Sequence, residues 1–215
     1  MGNVFIHPIV DNAIIFVAVG GAAFLIIFMF VKSQFIRKNQ EMVISRFIDA
    51  EDEANAVRRK DISPELFYTP NLSVLPQLPE GDPHQVARTA RRKMIHFSEP
   101  VSNLDLKMQY GSAQMETLAE YEENFNEYMR ALTAWASTLM VSGETGDALD
   151  ILEYTFGLGI EFRSAYRLAA DIHFKDRNVN KLIYLLGVAE KNHFRDPAMQ
   201  HSVLEYINRK LDELK

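Results

Sequence analysis

Apolar and polar positions change their rhythm three times along this chain. From Ala13 to Val31 it runs AIIFVAVGGAAFLIIFMFV without one charge. About nineteen apolar residues at about 1.5 Å per residue match the roughly 30 Å hydrocarbon core of a bilayer, so this stretch predicts a transmembrane helix over 13–31. A cleaved leader would need a basic segment ahead of a shorter apolar run. Gly2 to Asn12 instead carries Asp11 and neither Lys nor Arg. From Gln34 to Lys60 neither Gly nor Pro intervenes, and Ile36, Val43, Phe47, Ala50, Ala54 and Val57 form a partial apolar stripe. That periodicity predicts a juxtamembrane helix within 32–60. The stripe suits a coiled-coil seam, the membrane interface or packing on the following domain, and packing on the domain is the expectation here.

Over 61–82 the rhythm breaks. Five of the eight prolines fall at Pro64, Pro70, Pro76, Pro79 and Pro83. Proline removes a donor and biases its predecessor to extended backbone. Leu66, Phe67, Tyr68, Leu72, Val74, Leu75 and Leu78 are too apolar for a free linker, so the segment reads as an extended strap laid on the domain. Asp82-Pro83 is a cap-plus-first-turn signal for a helix running to about His96. Ser98 to Gly111 reads as a connection. Met115, Leu118, Tyr121, Phe125, Tyr128, Leu132, Trp135 and Leu139 then recur at spacings of three and four, one face of a long helix from about Ser112 to Val141. Asp196-Pro197 opens a last helix to about Leu214, with Val203, Leu204, Ile207 and Leu211 on one side.

From Met129 the chain repeats at a period of about 34, with Leu132 opposite Tyr166, Trp135 opposite Ala169, Ala136 opposite Ala170 and Leu152 opposite Leu186. Ala136, Gly143, Ala148 and Leu152 stand at positions typical of the tetratricopeptide repeat, and 129–196, within a helical domain over 83–215, therefore resembles that family. The units run over 129–162 and 163–196, and 197–214 serves as a capping helix. The second unit departs from the pattern, with Leu182 for a small residue and Arg177 for glycine. The resemblance implies an all-α domain with a concave face that binds extended peptides or helices. Mapped onto this chain, that face comprises Arg130, Thr133, Ser137 and Met140, followed by Arg167, Asp171, Phe174 and Lys175. The strap at 64–79 is also a candidate to fill the same groove as an internal ligand.

Charge sets the orientation and removes function classes. Lys32, Arg37, Lys38 and Arg46 follow the apolar run, and only His7 and the amino terminus precede it, so 1–12 is expected outside the plasma membrane and the remainder in the cytoplasm. Ala18, Gly20, Gly21 and Ala22 offer a close-packing patch within the span, through which the chain could self-associate. The juxtamembrane helix is a second candidate for self-association. The net charge is −6, and Val101 to Phe162 holds eleven acids against Lys107 and Arg130, which argues against a nucleic-acid binder. The six histidines are scattered, cysteine is absent, and Gly157-Leu158-Gly159 lacks a third glycine. No metal site, cofactor loop or catalytic constellation is read, and an enzyme is not expected. The expectation is a membrane-anchored protein-interaction adaptor. The alternative is an accessory subunit of a translocation, secretion or envelope complex, held mainly through its span.

Overall fold

The computed structural model describes residues 29, 32–34, 38, 40–192 and 194–214. Apart from Met29, the candidate span over 13–31 lies outside them, as do the tail 1–12 and the small-residue patch at Ala18, Gly20, Gly21 and Ala22. Among the described residues no helix is long and apolar enough to cross a membrane. Among the described residues the architecture is all-α except for one ladder of two very short strands. The chain divides into two compact units, Met1–Glu53 and Ala54–Lys215.

In the first unit and across its boundary, residues 40–56 form helix α1. Of its stripe, Val43 and Phe47 are exposed, Ala50 is half-buried, and Ala54, in the second unit, is fully buried. The backbone leaves the helix at Val57 and runs extended past Gly111. The Lys60 amide donates to the Tyr110 carbonyl at 2.9 Å. Gly111 is required there: its φ is +84°, and a Cβ would stand 2.8 Å from the carbonyl oxygens of Val57 and Arg58.

The strap is held down, as its apolar content predicts. Single 3-10 turns at Pro64–Leu66 and Leu72–Val74 flank strand β1, Phe67–Tyr68. β1 pairs antiparallel with β2, Met94–Ile95, in the register Phe67 opposite Ile95 and Tyr68 opposite Met94. Tyr68, Leu72, Leu75 and Leu78 pack against the main core. Tyr68 stands edge-on to Phe125 at 5.5 Å, and its hydroxyl is bonded to that of Tyr154.

Pro83 does not open a long helix. Helix α2 is only Val86–Ala90, and β2 occupies the residues that would have continued it. Its N-cap is Gln85, in the left-handed region at φ 58°, and not Asp82, whose carboxylate nevertheless accepts from the amides of Val86 and Ala87, both at 2.8 Å. Nor is 98–111 only a connection. It contains helix α3, Asn103–Tyr110, capped by the Ser102 hydroxyl accepting from the Asp105 amide. α3 supplies Leu106 and Tyr110 to a small core with Ile62, Ile95 and Leu118.

Five helices then stack: α4 (Met115–Ser142), α5 (Thr145–Gly157), α6 (Arg163–Lys175), α7 (Val179–Lys191) and α8 (Pro197–Asp212). α4 is unbroken over its 28 residues. α4 packs on α5, α6 on α7, and α8 on both α6 and α7. Trp135, Tyr128, Leu132, Ile151, Leu152, Tyr166, Ile172 and Leu182 are fully or almost fully buried in one continuous core. The sequence period is visible in the backbone. α4 ends with the Gly143 amide on the Met140 carbonyl and the Glu144 amide on that of Leu139; α6 ends with the Arg177 amide on Phe174 and the Asn178 amide on His173. This is the same carbonyl-satisfying helix end one period later. Gly143 and Arg177 both sit in the left-handed region, at φ 87° and 51°. The period continues once more, since α8 starts at Pro197 where α6 starts at Arg163.

Candidate functional groove

Three helices present matching faces on one side of the stack. Arg130, Thr133, Ala134 and Ser137 project from α4, Arg163, Ser164 and Arg167 from α6, and Ala198, Met199 and Ser202 from α8. Spacings of three and four put each set on a single helix face. With Glu161, Phe162 and Asp196 they enclose an open groove of about 870 Å³.

Its electrostatics are uneven. Both carboxylates are engaged: Asp196 accepts from the Ala198 amide at 2.9 Å, and Glu161 accepts from the Arg195 amide at 2.9 Å. Arg130 pairs with Glu123 on its own helix. Among the described residues neither Arg163 nor Arg167 has an ion pair. The Arg167 guanidinium lies 4.8 Å over the Tyr206 ring, and its Nε is buried without an acceptor. A buried donor without an acceptor is costly.

The eight residues assigned to this face separate into two groups. Arg130, Thr133, Ser137 and Arg167 line the groove. Thr133 is nearly buried, its hydroxyl donating to the Met129 carbonyl at 2.9 Å. Met140, Asp171, Phe174 and Lys175 are not among the lining residues. Met140 leans on the core. Asp171 accepts from the Tyr206 hydroxyl at 2.7 Å and the Lys210 ammonium at 3.0 Å, locking α6 to α8. That hydrogen bond is the main reason Lys210 titrates above its ordinary range, while burial, aided by Asp171, raises Tyr206. Phe174 carries the Lys210 ammonium 4.3 Å over its ring, and Lys175 is exposed in the last turn of α6. Arg163, Ser164, Met199 and Ser202 were not anticipated. The period of 34 carries Arg130 to Ser164 and on to Ala198, which lines the groove as well, but from no residue of the predicted face does it reach Met199 or Ser202.

A smaller cavity of about 240 Å³ adjoins the groove and shares Arg130, Glu161, Phe162 and Met199 with it. His96 forms part of its wall, stacked on Phe125 at 4.5 Å. Burial lowers the His96 pKa, as does Arg195, against the opposing pull of Glu122. Arg195 itself bridges Glu122 and Glu161, tying α4 to the loop before α6.

The strap does not enter the groove: none of the lining residues comes from 61–82, and Phe67 and Tyr68 engage Tyr121, Phe125 and Tyr154 instead. Among the described residues no cluster of three potential metal ligands occurs. Comparison with protein-family models, with curated proteins and with solved structures finds no match to this chain, so the reading of the groove rests on its own residues.

Proposed function

We propose that this chain is a membrane-anchored, non-enzymatic adaptor whose tetratricopeptide-like domain binds acidic, extended peptide segments of a partner protein in the cytoplasm. The observation that carries the reading is the groove across α4, α6 and α8, where, among the described residues, Arg163 and Arg167 have no ion pair and the lining carboxylates are already engaged. The serine hydroxyls of Ser137, Ser164 and Ser202 suit peptide main-chain groups, and Phe162 and Met199 supply apolar floor. Arginine's planar fork favours carboxylates over neutral groups. Anchorage rests on the uncharged stretch 13–31, and the orientation on the basic residues that follow it.

The test is fluorescence anisotropy with the full chain in detergent micelles. The probes are labelled ten-residue peptides of equal length, one rich in Glu and Leu and one rich in Lys and Leu. The acidic peptide should bind with strong salt dependence, and the R163E/R167E variant should weaken it by at least about tenfold. Equal binding of both peptides, or no effect of the charge reversal in a variant with unchanged circular dichroism, overturns the proposal.

A further inference from the structure

We propose that the side cavity adjoining the groove is a specificity pocket for one aromatic side chain of the bound peptide, a role that rests on the acidic-peptide reading of the groove. The partner segment then carries a Phe or Tyr about three extended residues from its acids. The cavity of about 240 Å³ shares Arg130, Glu161, Phe162 and Met199 with the groove. It has room for one large side chain, short of the roughly 300–1,000 Å³ of a pocket that takes a whole small molecule. Its wall is aromatic: Phe97, Phe125, Phe162, and the His96 ring stacked 4.5 Å from Phe125. Ile95, Met129 and Ile160, all buried, complete it. Phe97, Phe162 and Met199 are only half-buried, so they keep apolar surface that an occupant would cover. Aromatic rings favour edge-on or offset contact with another ring, which selects an aromatic side chain over an aliphatic one. Ile95, His96 and Phe97 lie outside the repeated segment 129–196, so this wall is no product of the repeat.

Charge excludes the other occupants. Glu122 and Glu161 both pair with Arg195, and Arg130 pairs with Glu123. Burial, with Arg195, holds His96 below its ordinary range, so the imidazole is neutral at pH 7. Each charged group on the wall therefore has a partner, and a Lys or Asp side chain entering the cavity would lose its hydration and find no free counter-ion. Helix α4 sets the spacing. It lends Phe125, Asn126 and Met129 to the cavity and Thr133, Ala134 and Ser137 to the groove, with Arg130 common to both. From Asn126 to Thr133 the helix rises about 10 Å, which about three extended peptide residues span. A peptide that runs along α4 with its acids in the groove has its anchor at that distance. Asn126 itself is half-buried, and among the described residues its carboxamide makes no hydrogen bond, so replacing it breaks none.

The test is anisotropy of labelled ten-residue peptides on the full chain in detergent micelles. Each peptide is Ser with one Glu pair, and carries Phe, Leu or Ala three residues from the pair, or Phe seven residues from it, in both chain orders. In one of the two orders, Phe at three should bind at least about tenfold tighter than Ala, and clearly tighter than Leu or than Phe at seven. Asn126→Trp fills the cavity from its own helix and should remove the Phe advantage while leaving the Ala peptide within about twofold. Asn126→Ala should keep the advantage. Equal binding of the Phe and Ala peptides, a gain that ignores spacing, or a gain matched by Leu overturns the proposal. So does a Phe advantage that survives Asn126→Trp with circular dichroism unchanged. The peptide series on the unaltered chain decides even where that variant fails to fold. Salt-dependent binding of the acidic peptides with no Phe advantage overturns the pocket and leaves the groove reading standing. A Phe advantage that Asn126→Trp removes, yet that persists with Gln for the Glu pair and in R163E/R167E, supports the pocket and overturns the acidic-peptide reading. No binding of any peptide overturns both.

Discussion

Gly143, Arg177 and Gly111 show how single residues set backbone cost. Gly143 and Arg177 occupy the same left-handed position one period apart, at the end of α4 and of α6. Only glycine takes that conformation without a Cβ penalty, which for other residues is roughly 1–2 kcal/mol. Arg177→Gly should therefore raise stability by about 0.5–1 kcal/mol, and Gly143→Ala should lower it by a similar amount, as read from urea midpoints. A Cβ at Gly143 meets nothing within 4 Å, whereas one at Gly111 collides with backbone carbonyls at 2.8 Å. Gly111→Ala adds overpacking of about 1–3 kcal/mol to the φ cost, so it should be the more damaging of the two. Protonation works at the same scale. Burial lowers the pKa of both His96 and His173, helped by Arg195 at the first and by Lys181 at the second. The unfolded chain therefore binds protons that the folded form resists, and stability falls as pH drops below the ordinary histidine value of about 6.5. The urea midpoint should be lower at pH 5.5 than at pH 7.5. The fall should be shallower in an H96Q/H173Q variant, whatever its absolute stability.

At the scale of elements, the strap and the two short strands form one device. Tyr68 bonds Tyr154 through its hydroxyl and presses its ring on Phe125, so β1 joins α4 and α5 to β2. Burial, together with the Tyr154 bond, raises the pKa of the Tyr68 hydroxyl. Tyr68→Phe should cost about 1 kcal/mol, the net worth of one such bond, and Tyr68→Ala about 3 kcal/mol or more. Because the strap lies away from the groove, neither change should tighten peptide binding; a tighter acidic peptide with Y68A would mean that the strap competes for the groove after all. This device was only half legible in the sequence. The apolar side chains between the prolines announced that the strap is covered, and Asp82 announced a nearby helix start, though not the residue that caps it. The length of α2 was hidden, because Ala90 and Met94 stand four apart and read as one helix face. Tertiary pairing with Phe67 and Tyr68 draws Met94 and Ile95 into a strand too short to leave an alternating pattern. The stacked helices were far more legible, since a period of about 34 marks both the buried faces and the turns between them. The groove was read on α4 and partly on α6. It was missed on α8, which had been taken for a cap rather than a third wall.

At the scale of the whole molecule, the unit from Ala54 onward carries its own cores and the groove, while the segment before it carries the proposed span. Binding and membrane attachment should therefore separate by truncation, and the position of the cut matters. The stretch from Ala54 to Ile62 belongs to the folded unit. Ala54 is fully buried, the Lys60 amide bonds Tyr110, Val57 and Arg58 lie against Gly111, and Ile62 is in the core with Leu106 and Leu118. A fragment starting at 54 should unfold cooperatively and keep the acidic-peptide affinity of the full chain. One starting at 64 loses the Ile62 side chain and the Lys60 bond, at a cost of about 2–5 kcal/mol from the emptied core site alone. Differential scanning calorimetry of the two fragments distinguishes them. A melting temperature unchanged by the shorter cut would show that the segment 54–63 merely lies on the domain. A large drop with groove affinity still intact would show that this stretch clamps the small core around α3 without shaping the groove.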